Sequence, residues 1–254
     1  MSAPIFYLSP GMLDDVEPGN FVELLGDEGH HARTVKRLNV GEKIDVADGS
    51  GLRILGEVAE LLPEGLRVRV LEVLPQASGP EVILVQALAK NDRDILGIET
   101  ATELGVTGVI PWVADRSIVR WKKERLEKHH TKWENTVRAA AKQSRSPRIP
   151  EVYDLHTSAE LAAVFSEDTS SGAHVFMLHE SGLNKFSSQI RSVEIETETT
   201  IYVIVGPEGG ISEREISLFE DAGGKTALLG NEVLRSSTAG AAAIVVLKTL
   251  LGQW

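Results

Sequence analysis

The stretch "YVIVGPEGGISEREI", residues 202–216, constrains this chain more than any other. A run of β-formers, Tyr202 to Val205, is stopped by Gly206-Pro207-Glu208-Gly209-Gly210. Ser212 and Glu215 then fit the S-x-x-E capping box, so a helix starts just after Gly210. A strand that turns straight into a helix is the building unit of an α/β sheet. Its glycines sit at the strand's carboxyl end, where such sheets take their ligands. Bare amides and the helix dipole attract acceptor groups there. The run is neither G-x-x-x-x-G-K-[ST] nor G-x-G-x-x-G, and Glu208 inside the turn would repel a pyrophosphate. A neutral or cationic ligand is expected. The plainer alternative is a tight turn with a solvent-facing glutamate, but two glycines after Gly-Pro exceed what a turn requires.

The same rhythm occurs upstream. "EVILVQAL" reads as an apolar strand and "NDRDILGIETATELG" as a helix, with Asn91 or Asp92 as N-cap and Gly105 just past its end. "VTGVIPWV" is the next strand, which completes a βαβ unit and predicts a parallel sheet. A long polar helix is expected over about 121–144, and a short one from Ser158 to Phe165. "HVFMLHE", "TTIYVIV" and "KTALL" read as further strands, and a helix from about 237 closes the chain. The first 75 residues differ. They hold short strands and turns, with Leu66, Val68 and Val70 alternating with Arg67 and Arg69, which suggests a small β-barrel. "PQASGP", 75–80, is the expected linker, dividing a barrel over 1–75 from an α/β domain over 80–254.

A second small-residue stretch, "LLGNEVLRSSTAGAAAIVVL", runs from a strand through Gly230 into that last helix. Thr238, Ala239, Gly240 and Ala241 let backbone approach a ligand or a neighbouring strand closely, and Arg235 is its fixed charge. Cysteine is absent, which excludes disulfides, thiolate metal sites and a thiol nucleophile. His129-His130 lack i, i+4 zinc spacing, so no metal is expected. "MSAPIFYLSPGM" lacks an export signal, and the apolar run "AGAAAIVVLKTLL" is broken by Lys248 and too short for a bilayer. A cytoplasmic protein without a membrane partner is expected. Net charge is −11, yet 116–148 carries eleven lysines and arginines against Glu124, Glu127 and Glu134. Such asymmetry fits either a basic face for a polyanion or a well-solvated helix.

"VGPEGGIS" followed by "LGNEVLRSSTAGAAA" resembles the ribosomal RNA small subunit methyltransferase E family, SPOUT-class enzymes that use S-adenosylmethionine (SAM). "HHARTVKRLNVGEKIDVADGSG", "ATELGVTGVIPWVADRSIV" and "AKQSRSPRIPEV" extend the resemblance over nearly the whole chain in order. It implies a PUA-like β-barrel, then a SPOUT α/β domain with a C-terminal trefoil knot, in a homodimer. The implied reaction is methylation of N3 of a uridine in 16S rRNA, within the small ribosomal subunit. By resemblance the SAM site takes Leu178, His179, Gly206, Glu208, Gly209, Gly210, Ile211, Leu229, Gly230, Leu234, Ser236, Thr238 and Ala239. Arg235 is the implied catalytic cation. Glu208, or a residue of the partner subunit, is a candidate general base; alternatively Glu208 binds a ligand hydroxyl or amine, or offsets positive charge. Implied RNA contacts are Arg33, Lys36, Arg37, Lys90, Arg116, Gln143, Arg145 and Arg148, with 33, 36 and 37 spaced for one helical face. Ser237, Lys142 and Thr100 depart from the usual Glu, acid and Lys of relatives. A methyltransferase acting on another RNA, and a non-catalytic RNA-binding assembly factor, are the competing readings.

Overall fold

The computed structural model describes residues 3–74 and 78–254. The expected linker at 75–80 therefore lies partly outside the described residues. Two compact units are present, 1–77 with 141–149, and 78–140 with 150–254.

The first unit contains β1 (Ile5–Tyr7), β2 (Phe21–Leu24), α1 (Gly26–His30), β3 (Lys43–Ala47), β4 (Arg53–Leu62) and β5 (Gly65–Leu74). The strands follow the order β1-β3-β4-β5-β2, with β1–β3 parallel and the other pairs antiparallel. Register breaks at Leu55/Gly56 and Val58/Glu60 let the long β4–β5 hairpin bend, as bulges do. The expected barrel is thus a bent five-stranded sheet around Phe6, Leu24, Ile44, Ile54 and Val68. Period two holds along β5. Leu66, Val68 and Val70 are buried, and Arg67 on the other face pairs with Glu23 at 2.9 Å and Glu60 at 2.8 Å.

After α1 the chain makes a wide π-type turn, His31–Val35, closed by the Lys36 N–H on the His31 carbonyl at 2.9 Å. Arg37 then takes a left-handed conformation, φ 55°. The expectation that Arg33, Lys36 and Arg37 share one helical face therefore fails. The turn is not α-helical, and the chain has left it before the third cation.

The second unit contains β6 (Glu81–Ala87), α2 (Arg93–Glu103), β7 (Gly108–Val113), most of α3 (Leu126–Ser144), β8 (Glu151–Val152), β9 (His156–Thr157), α4 (Ser158–Ser170), β10 (His174–Leu178), α5 (Phe186–Arg191), β11 (Thr200–Val205), α6 (Glu213–Asp221), β12 (Lys225–Ala227) and α7 (Ser236–Leu250). Its sheet runs β12-β10-β11-β6-β7-β8, every pair parallel, with β9 also on β7. Such strands are covered on both faces and read as continuous apolar runs, which is how β6, β10 and β11 look in sequence. Trp112, Phe165 and Phe219 fill one side of the sheet. Gly240 lets α7 lie on the other: a Cβ there would stand 2.9 Å from Leu84 Cδ1.

Helix ends explain the small differences from expectation. α4 is capped by Thr157, whose hydroxyl and Glu160 form a capping box, so Ser158 is the first helical residue rather than the cap. Released from capping, Ser158 is buried and receives the Trp112 indole N–H at 3.1 Å. At α2, Asp92 holds the N-cap position with φ 54° and no side-chain cap bond, while Gly105 ends the helix at φ 86° as expected. Among the described residues no helix is long and apolar enough to cross a membrane.

The capping box read from Ser212 and Glu215 is present and reaches further than a cap. Glu215 is fully buried. Its Oε1 accepts the Asp115 N–H at 2.7 Å and the Ser158 hydroxyl at 2.7 Å, and its Oε2 accepts the Ser212 N–H at 3.0 Å. Bonds to charged groups contribute about 1.5–3 kcal/mol each, and donors left unpaired in the interior are costly. Glu215→Ala is expected to lower unfolding stability by about 3–5 kcal/mol. A urea melt shows this as a lower midpoint with unchanged m; a midpoint within error of the parent would contradict the role assigned to this carboxylate.

Candidate functional site

The carboxyl ends of β10, β11 and β12 face the amino end of α7 around a cavity of about 690 Å³. That is within the range of small-molecule sites, about 300–1,000 Å³. Each wall is a loop that the sequence places at a strand end. Leu178 and His179 come from the end of β10, and Gly206, Glu208, Gly209, Gly210 and Ile211 from the turn after β11. Leu229, Gly230, Leu234 and Arg235 come from the loop after β12, and Ser236 and Ala239 from the head of α7. Thr238 is outside the lining: its side chain is exposed and its N–H donates to the Arg235 carbonyl at 2.8 Å.

The glycine turn closes through the Gly210 N–H on the Pro207 carbonyl at 2.9 Å, with Gly210 at φ 73°. That left-handed conformation favours glycine. Gly209 serves a close approach instead, since a Cβ there would stand 3.0 Å from Arg116 Cβ. Arg116 donates from Nη1 to the Gly209 carbonyl at 3.1 Å, so this cation, expected among the RNA contacts, lines the cavity and braces the turn.

Glu208 is exposed, as the plain-turn reading has it, but its carboxylate is engaged within the fold. Its Oε1 accepts the Lys90 N–H at 3.1 Å and lies 3.5 Å from Arg93 Nη1. The carboxylate thereby ties the β11–α6 turn to the β6–α2 loop, where Asn91 and Asp92 both take left-handed conformations. The buried Asp94 completes that loop by accepting the Ile95 N–H at 2.9 Å, and burial raises its pKa above the ordinary carboxylate value. On the other side of the turn, hydrogen bonds from Arg214 and Ser212 hold the Asp115 carboxyl below it.

Arg93, Glu180 and Glu232 also line the cavity and were missed from sequence. Arg93 had a signal: it stands three residues after Lys90, at the same strand edge that turns toward the glycines. Ser236, at the head of α7, has a buried hydroxyl with no hydrogen-bond partner among the described residues. Arg235 takes the extended N-cap position of that helix, with its side chain exposed. Among the described residues no group of three or more potential metal ligands occurs.

Residues 77–248 match the family model of an RNA methyltransferase domain, and residues 24–71 that of an RNA methyltransferase PUA domain. The Mycobacterium bovis ribosomal RNA small subunit methyltransferase E is 37% identical over all of this chain and 94% of its own length. The chain belongs to the ribosomal RNA small subunit methyltransferase E family. The Bacillus subtilis enzyme of this name is 26% identical over 88% of both chains. A crystal structure of the Neisseria gonorrhoeae enzyme bound to S-adenosyl methionine superposes with TM-score 0.81 at 25% identity, covering 98% of each chain.

In this member of the methyltransferase E family the expected RNA contacts fall in both units. Arg33, Lys36, Arg37, Gln143, Arg145 and Arg148 belong to the first, Lys90 and Arg116 to the second. The Arg33 guanidinium is partly used within the fold, donating to the Leu62 carbonyl and to the Pro63 carbonyl at 2.6 Å. Lys36, Arg37, Gln143 and Arg145 are exposed, and Lys90 contributes its amide to the Glu208 clamp. Two departures from the family pattern have local partners. Lys142 bonds the Glu28 carboxylate at 2.7 Å and lies over the Phe6 ring at 5.0 Å from its centroid. Thr100 donates its hydroxyl back to the Leu96 carbonyl at 2.8 Å, and Ser237 is buried. If Glu208 clamps the β6–α2 loop as its geometry indicates, Glu208→Ala leaves the Lys90 amide unbound. Amide hydrogen exchange at Lys90 is expected to speed up about tenfold, as for loss of one net hydrogen bond. An unchanged rate would mean that the clamp does not hold in solution.

Proposed function

We propose that this protein transfers a methyl group from SAM to N3 of a uridine in 16S rRNA. Family membership carries the coarser statement: the chain is a SAM-dependent rRNA methyltransferase. The single observation that best supports the site is the convergence of the glycine turn, the Gly230–Arg235 loop and the head of α7 on one cavity.

The residues present fit SAM. The cavity has the size, Glu180, Glu208 and Glu232 offer negative charge to a cationic ligand, and the Ser236 hydroxyl is buried without a partner among the described residues. Leu178, Gly206, Ile211, Leu229 and Leu234 would surround the adenosine, with backbone groups of the three loops as its donors and acceptors. When bound, SAM supplies an electrophilic methyl group on a sulfonium. The chain's own part is positioning and charge. Glycine-turn backbone fixes where the methyl group lies, and Arg116 and the Glu208 clamp keep that backbone in place. Arg235, on the rim, stabilises negative charge that develops on the uracil carbonyls as the N3 proton leaves to a base or to solvent. Glu208 Oε1 already accepts the Lys90 amide and pairs with Arg93, which disfavours the general base among its expected roles and adds a clamping role that was not among them.

The homodimer, the trefoil knot and the domain roles belong to this proposal. So do the assembled small subunit as substrate and the cytoplasm as its place. Leu183, 96% exposed, and Val233, 79% exposed, leave apolar side chains on loops beside the cavity that a second copy would cover. Lys36, Arg37, Arg145 and Arg148 would take backbone phosphates, giving affinity and salt dependence rather than choice of base.

Small subunits from a strain lacking the gene, incubated with labelled SAM, are expected to gain 3-methyluridine on nucleoside mass spectrometry. SAM binding without that product would leave the methyltransferase and change its target. Arg235→Ala is expected to reduce kcat about 100-fold, as loss of one electrostatic donor does, with SAM affinity within a few-fold of the parent. A SAM affinity that falls as far as kcat would place Arg235 in cofactor binding instead.

A further inference from the structure

We infer that the groove between α2 and α3 is a track for the RNA backbone, leading to the mouth of the methyl-transfer cavity. The inference rests on the methyltransferase reading and adds a surface that neither the glycine loops nor the family motifs contain. The groove is lined by Lys128, Thr131, Lys132, Asn135, Thr136 and Ala139 of α3 and by Ile95 and Glu99 of α2. On α3 these residues follow the spacing i, i+3, i+4, i+7, i+8, i+11, which is one face of a helix. Trp133, Val137 and Ala140 on the opposite face are buried, so the orientation of the stripe is set by packing.

The chemistry of the stripe is selective. It offers two ammonium groups, two hydroxyls and an amide, with Ala139 small enough to admit a bulky chain, and α3 contributes no carboxylate to it. Glu127 and Glu134 of α3 lie outside the groove, Glu134 being 3.5 Å from His130. Glu99 is the one acid in the lining. Lys128 has no ion-pair partner among the described residues, and Lys132 holds Asp92 at 2.7 Å through an exposed pair. Exposed pairs are weak, so a phosphate could take Lys132 at small cost. Asp92 precedes Arg93, which lines the cavity, so two consecutive residues link the groove's Lys132 to the cavity's lining. In a chain of net charge −11, a cationic, hydroxyl-rich groove without its own acids on α3 matches a polyanion. Protein partners that recognise charge would more often be met by mixed signs and aromatic anchors, which this stripe lacks.

The test is a charge-reversed pair, Lys128→Glu with Lys132→Glu, beside a neutral pair to Ala and a conservative pair to Arg, in the full-length chain. Filter binding of 16S rRNA is measured at several salt concentrations, with SAM affinity by calorimetry and steady-state kinetics on small subunits. The reversed pair is expected to weaken rRNA binding at least about tenfold, and the alanine pair to lower the slope of log affinity against log salt by about 1.5, for two phosphate contacts. KM for subunits should rise with kcat and SAM affinity within about twofold, and the arginine pair should restore binding. Unchanged rRNA affinity and slope would overturn the inference. So would a KM rise on subunits with unchanged binding of naked rRNA, which would assign the groove to a protein. Parent protein that binds rRNA with the expected salt slope but transfers no methyl group would sink the methyltransferase reading while leaving the groove supported.

Discussion

The buried carboxylate of Glu215 is the point on which the functional end of the sheet depends. A charge inside a protein is tolerated only when donors surround it, and here they come from three separate places. One is its own helix cap at Ser212, one the loop after β7 at Asp115, and one the first turn of α4 at Ser158. Ser158 in turn receives Trp112 from the core. One side chain thus couples the start of α6 to two neighbouring connections across the sheet. The glycine turn directly precedes that helix, so its far end is anchored to the interior rather than to solvent.

The near side of the turn is held by different chemistry. Arg116 reaches the Gly209 carbonyl and Glu208 reaches the Lys90 amide, both across strand ends. Backbone without side chains is conformationally free, and that freedom would be a liability in a binding loop. Here the glycines gain close approach while neighbouring charged groups remove the entropy penalty of a loose loop. This accounts for a carboxylate inside a glycine turn: Glu208 serves the geometry of the loop at least as much as its charge. It also explains why Arg93, absent from any motif, stands at the cavity, since the clamp that orders Lys90 draws the next residues with it.

Strands, helices and the order of the two units were legible in sequence because their signals are local. Period two in β5, the continuous apolar runs of β10 and β11, and the Ser212–Glu215 box are each contained within a few residues. What escaped depended on distant partners. Thr157 takes the cap position while Ser158 bonds Glu215, 57 positions away. The wide turn at His31–Val35 spoiled a helical spacing that looked sound for Arg33, Lys36 and Arg37. Residues 141–149 group with the first unit although they begin within the last turn of the long helix, a result no composition shift announces. Within the cavity, the glycines and small residues announce themselves by type, whereas Arg93, Glu180 and Glu232 are ordinary surface residues until the fold brings them together.

Acidic net charge and an RNA substrate are compatible because electrostatic recognition is local under physiological salt, where fields fall off over about 8 Å. Most of the chain's surplus of acids can therefore coexist with a basic segment at 116–148 without cancelling it. The surplus has a use. A net charge of −11 disfavours general adhesion to RNA, so productive contacts must come from places where cations cluster. An rRNA methyltransferase gains from this arrangement, since weak general affinity makes shape and the reach of the cavity decide which nucleotide is methylated.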